Sequence, residues 1–281
     1  MWWGGVGNQL FQYANACAIA WRNGAELVLD LRDVQKYHDH RRYALMHFAL
    51  SARVAGHDEF PSPLRDKLRY HIHYLWASAK KPRLIRERSP AFNQDILTLT
   101  SGCYLYGWFQ SERYFEDCSD RIRNELQFIT PPGGQNGKLL ERIEGGNAVS
   151  VHVRRGDYLN SSGFAQCSTD YYDTAIAHIA ERVGSIKIYV FSDDPEWVRR
   201  NMNFDYPTII SDKNQEGHAY EDLRLMAACR HHVIANSSFS WWGAWLNPDP
   251  DKIVVAPKKW FVDGHPDNPD IVPEGWHRMA N

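Results

Sequence analysis

What most constrains the fold of this 281-residue chain is an alternation of strand-like and helix-like segments from Val149 to Ala256. Val149–Val153 reads as a buried strand, Asp170–Val183 as a helix and Ile186–Phe191 as a strand. Pro195–Met202 opens with proline in the first helical turn, where no backbone N–H is missed. Thr208–Ile210 reads as a strand, Ala219–His231 as a helix and His232–Ala235 as a strand. Ser238–Leu246 follows as a helix and Ile253–Ala256 as a strand. Alternation of this kind predicts an α/β fold, a parallel sheet with helices on both faces.

The first half is less regular. Gly4-Gly5-Val6-Gly7-Asn8 is a glycine-rich turn, and Gln9–Trp21 places Leu10, Ala14, Cys17 and Trp21 on one helical face. Gly24 ends that helix, and Glu26–Asp30 reads as a short strand. Residues 33–100 are rich in Arg, His and Tyr; short helices are expected there, with His71 and His73 as ordinary surface or core residues. Thr130–Gly137 is the densest run of turn-forming residues and is taken as a linker. It divides the chain into an N-terminal domain, 1–135, and a C-terminal domain, 136–281, whose tail packs back on the first.

Three polar turns fall where strands end: His152–Tyr158, Phe191–Asp194 and Asn236–Ser240. In an open α/β sheet the crevice at those ends takes the ligand. Net charge is only −2, so nothing global attracts nucleic acid, and any phosphate must be held locally. Arginine suits that task, since its planar fork grips two oxygens and keeps its charge. Arg154 and Arg155 point to opposite faces of the strand. Arg154 shares a face with His152 and is expected in the crevice, while Arg155 braces the turn, paired with a carboxylate such as Asp157. The plainer alternative is a structural Arg–Asp pair.

Ser237 and Ser238 open a helix, whose N–H groups and dipole favour an anion, although serine there is also an ordinary cap. Gly5 and Gly7 let backbone approach a ligand closely. Asp193 and Asp194 suggest a metal pair, or a base and a ribose contact. Asp222 is placed to receive N–H groups of a guanine, or serves only as a helix-start carboxylate. Trp241, Trp242 and Trp245 read as core; Trp2, Trp3, Trp108 and Trp260 are candidates for stacking on a sugar. The five cysteines form no CxxC pair, which points to a reducing compartment and argues against zinc. No leader and no spanning run of about 18 apolar residues is visible. A cytoplasmic protein is expected, with at most peripheral contact at the inner face of a membrane.

The strings Gly4–Ala14, His152–Tyr158, Phe191–Asp194, Asn236–Leu246 and Pro257–Phe261 together resemble the alpha-1,2-fucosyltransferase family, glycosyltransferase family 11, of bacterial type. The resemblance runs nearly end to end. It implies a GT-B-type fold, two Rossmann-like domains facing across a cleft. Only Met1, Trp2 and Trp3 precede the glycine turn, so the first strand of the N-terminal domain is expected to be missing. The implied activity is inverting transfer of L-fucose from GDP-β-L-fucose to the 2-hydroxyl of a β-galactoside glycan, with no metal or other cofactor.

The family pattern puts Arg154 and Ser238 on the donor phosphates and Asp222 on guanine. Gly5, Gly7, Asn8, Gln9, Arg155, Asp193, Asp194, Ser237 and Phe239 are carried over as further donor contacts. Arg154, His152 and Asp157 form the catalytic set, and His152, Asp157 and Glu221 are the candidates for general base. The alternatives are a GDP-sugar-binding protein without transferase activity, or a transferase using another GDP-sugar.

Overall fold

The computed structural model describes residues 4–32, 43–56, 83–156, 158, 163–214 and 217–281. Met1–Trp3, His71, His73, Asp157 and much of the 33–100 region lie outside them. The first half opens with helix α1, Val6–Arg22, followed by the short strands β1, Val28–Leu29, and β2, Arg53–Val54, paired in parallel. Strands β3, Arg83–Arg86, and β4, Cys103–Tyr106, form a second parallel pair. Helix α2, Ser119–Glu125, completes this half, and helix α3, Gly134–Ile143, packs through Ile143 against Tyr189, Leu225 and Met226 of the second. Among the described residues between 33 and 100, single 3₁₀ turns at Leu45–His47 and Gln94–Thr98 are the short helices; strands β2 and β3 were not expected. The Thr130–Gly137 cluster is loop only in part, since α3 begins inside it.

The second half is the alternating sheet. Strand β5 is Ala148–Val153, helix α4 Thr169–Val183, strand β6 Lys187–Ser192, helix α5 Pro195–Asn201 and strand β7 Thr208–Ser211. Helix α6, Ala219–Ala228, leads to strand β8, His231–Val233, helix α7, Ser238–Leu246, strand β9, Val254–Pro257, and strand β10, His277–Met279. The six strands are ordered β10-β9-β8-β5-β6-β7, and every pairing is parallel. Counted along the chain, this is the doubly wound order 3-2-1-4-5-6. Strand β5 is buried at every position, as a central parallel strand must be.

The hydrophobic interior joins the two halves. Leu10, Phe11 and Tyr13 of α1 pack in one cluster with Trp241, Trp242 and Trp245 of α7. Phe11 lies 4.4 Å from Trp241 and 5.2 Å from Trp242, ring centre to ring centre. Phe115 stacks on Trp242 at 5.6 Å. The tail adds polar ties: Asp270 pairs with Arg113 at 2.7 Å and accepts from the Phe92 N–H at 2.9 Å.

Candidate active site

A cleft of about 1040 Å³ opens along the carboxyl ends of β5, β6 and β7 and the turn after β8. The first- and fourth-formed strands of the sheet, β5 and β8, are neighbours, so the cleft sits at the topological switch point. Helix α1 and the turn Gly4–Gly5 form the opposing wall.

One end of the cleft is built for negative charge. The N-termini of α1 and α7 both reach it, through Gly5 and Gly7 and through Ser237 and Ser238, and neither helix has an acidic residue in its first turn. Unpaired N–H groups and the dipole make such ends attractive to anions. The helices meet because Gly7 has no side chain: a Cβ there would come within 2.6 Å of the Phe239 nitrogen. Asn8 locks the junction, its Oδ1 accepting from Ser238 Oγ at 2.9 Å and from Gln110 Nε2 at 2.8 Å. Ser237 caps α7 through the Phe239 N–H.

Arg154 stands across from these helix ends. Its guanidinium pairs with Asp193 at 3.0 Å and lies 5.3 Å from the centre of the Tyr158 ring. Asp193 is delivered by the in-register pairing of Val153 with Ser192, while Asp157, the carboxylate expected beside this turn, lies outside the described residues. Asp193 also accepts the Arg155 N–H at 2.9 Å, and it fits because residue 156 is glycine; a Cβ there would lie 2.5 Å from its Oδ2. His152 is buried beneath, 5.6 Å from Phe239. Burial, aided by the Arg154 charge, pushes its imidazole down to about 3, so it is neutral and only feebly basic.

The other end presents a half-buried acceptor. Asp222 Oδ1 accepts from Ser211 Oγ at 2.9 Å and Asn214 Nδ2 at 2.8 Å. Burial pushes this carboxyl up to about 6 despite those bonds. Asn214 is held in turn by a reciprocal amide pair with Asn136. Beside it, His47 and Tyr220 stack at 3.6 Å with their planes 13° apart. Both line the cleft, forming a flat aromatic surface next to an acceptor that suits a planar N–H-bearing ring.

The structure brings His152, Arg154, Gly5, Gly7, Asn8, Asp193, Asp222, Ser237, Ser238 and Phe239 to one cleft. Others fall elsewhere. Gln9 is fully buried and ties Gly4 to Ala44. Arg155 lies on the Trp197 ring at 3.6 Å. Asp194 caps α5 through the Trp197 N–H at 3.0 Å, so the two aspartates work apart rather than as a pair. Glu221 is buried against Arg224 at 3.0 Å and does not line the cleft. Trp260 is buried in the core rather than offered to a ligand.

Sequence reasoning missed Ser211, Asn214, His47, Tyr43 and Tyr220 as cleft residues. Ser211 ends β7 and Asn214 lies in the turn after it, so the rule applied to the other strand ends would have found them. No comparable signal marks Tyr43 and His47, which reach the cleft only through the packing of the first half. No helix of the described residues is long and apolar enough to cross a membrane.

Comparison with known proteins adds ancestry to this geometry. The sequence profile of glycosyl transferase family 11 matches residues 81–280. An alpha-1,2-colitosyltransferase of Escherichia coli is 33% identical over 288 residues, covering 98% of this chain and 96% of that protein. The O-antigen biosynthesis glycosyltransferase WbnK of Escherichia coli is 30% identical, covering 92% and 93%. The crystal structure of the alpha-1,6-fucosyltransferase NodZ soaked with GDP-fucose superposes with a TM-score of 0.54 at 18% identity, over 87% of this chain and 90% of that one. At that identity the likeness is one of fold, the GT-B type.

Proposed function

Because the chain belongs to glycosyl transferase family 11, we propose that it transfers L-fucose from GDP-β-L-fucose, with inversion, to the 2-hydroxyl of a galactoside. The observation that carries this reading is the division of labour within one cleft. Arg154 and two helix N-termini free of acidic residues converge at one end, and Asp222 beside the His47–Tyr220 stack waits at the other. A guanine with its N1–H and N2 amine suits the second, and a diphosphate the first.

In the reaction the sugar C1–O bond breaks and its electron pair leaves with the diphosphate. Charge grows there, next to Arg154 and the N–H groups of α1 and α7, which stabilise it where it develops. The acceptor oxygen closes on C1 from the opposite face. His152 is too weak a base to take its proton, Glu221 is engaged by Arg224, and Asp157 lies outside the described residues. A loose transition state, in which the hydroxyl acidifies only as its bond to C1 forms, asks little of a base.

A second reading is favoured by the colitosyltransferase relative. Colitose is L-fucose without its 3-hydroxyl, so the same cleft would need only a different contact at that position. The two readings separate by comparing GDP-fucose, GDP-colitose and GDP-mannose as donors with lactose as acceptor, followed by linkage analysis of the product. Arg154→Ala should lower kcat by about 10²-fold or more with the preferred donor. Near-wild-type turnover and GDP affinity in that variant would remove Arg154 from the phosphates. GDP binding without acceptor-stimulated GDP release would leave a GDP-sugar-binding protein instead.

A further inference from the structure

Of the four tryptophans considered as sugar platforms, Trp260 is buried and Trp2 and Trp3 lie outside the described residues. Trp108 remains. It lines the cleft from the first half of the chain, and 37% of its surface is exposed, unlike the fully buried indoles of Trp241 and Trp242.

The backbone that carries Trp108 is shaped at some cost. Phe109, next in sequence, is the one described non-glycine residue in the left-handed region, at φ 53°, although its bulky side chain is buried. A bulky residue adopts that conformation only where its surroundings enforce it, and such positions gather at ligand sites. Glu87 enforces it here. Its two carboxylate oxygens accept the Trp108 N–H at 2.7 Å and the Phe109 N–H at 2.8 Å. Gly107 makes room for that carboxylate, since a Cβ at 107 would lie 2.8 Å from Oε2.

The same loop ends at Gln110, whose amide donates to Asn8 Oδ1, the atom that also receives the Ser238 hydroxyl. A hydrogen-bonded line thus runs from Glu87 through the loop to the helix junction at the anion end. The backbone of Trp108 is thereby held in place relative to that helix junction.

We propose that Trp108 is the platform for the acceptor pyranose, and that Glu87 is a positioning residue holding it there. This deepens the reading of the cleft as a galactosyl-accepting transferase site and rests on it. A β-galactoside presents one face of ring C–H groups, which packs on an indole. Stacked that way, its 2-hydroxyl lies at the ring edge, open to the donor.

The test uses the whole chain loaded with GDP. The Trp108 indole N–H resonance is assigned by its loss in Trp108→Phe, and methyl β-D-galactopyranoside is titrated in. A saturable shift of that resonance is expected. In turnover, Trp108→Ala should raise the acceptor KM by about tenfold with little change in GDP affinity, and Trp108→Phe should recover most of it. Glu87→Gln, which loses one of its two acceptor oxygens, should raise the acceptor KM with GDP affinity retained.

An indole resonance indifferent to the glycoside, together with an unchanged KM in Trp108→Ala, would overturn the proposal. Saturable indole shifts in a protein that transfers no sugar to galactosides would instead overturn the catalytic reading while the platform stands. Retained GDP affinity in each variant shows that it has folded.

Discussion

At the scale of single residues, the proposed guanine contact at Asp222 would link binding to pH. Its folded carboxyl titrates at about 6, above its ordinary range. The folded state therefore holds the proton more tightly, and this residue's contribution to stability declines as pH rises from about 4 to about 6, by on the order of 3 kcal/mol. Under the proposed function ligand binding runs the other way, because only the carboxylate would receive two guanine N–H groups. GDP affinity should fall about tenfold per unit as pH drops below about 6, and calorimetry across that range measures it. Asp222→Asn should bind GDP weakly with little pH dependence; a steep dependence surviving in that variant would assign it to another group. The arginines show where reading from sequence stops. Strand alternation correctly sends Arg154 and Arg155 to different surroundings. It cannot show that Asp193 stands beside Arg154, because that depends on the register of β5 against β6.

At the scale of elements, the junction of α1 and α7 is the most demanding local arrangement. Gly7→Ala pushes a methyl group into the Ser238–Phe239 backbone, where neither helix has a flexible side chain to move aside. It should destabilise the protein by roughly 1–3 kcal/mol and weaken GDP binding. Ser237→Ala, which removes only the cap of α7, should cost about 1 kcal/mol. Thermal melting with and without GDP reads both, and a Gly7→Ala protein as stable as wild type would mean that the helices can part. Helix α7 was legible to the residue because a Ser-Ser start and a dense run of tryptophans leave little choice. Helix α3 was hidden by Gly134, Asn136 and Gly137, which favour turns in isolation. Packing overrides that preference, through burial of Ile143 and the bond from Tyr189 to the Arg142 carbonyl at 2.6 Å. Strand β10 is three residues long and largely exposed, so it carries no alternation to detect.

At the scale of the whole molecule, the alternating second half was readable because each buried parallel strand announces itself locally. The first half was not, since its short strands β1 to β4 are only partly buried and take their shape from distant partners. Its main contribution is half of a shared interior: Phe11 and Phe115 from one side, Trp241, Trp242 and Trp245 from the other. Trp242→Ala should therefore cost about 3–5 kcal/mol. Denaturant unfolding should be a single transition by both fluorescence and circular dichroism; two separated transitions would show that the halves stand independently. For anyone recombining this chain with a relative, the shared interior sets the permissible breakpoints. Exchanging one half as a cassette would set a foreign aromatic surface against the native one. Changing the sugar that is accepted is better done by grafting the short stretch around Trp108, leaving both sides of the interior with the partners they were fitted to.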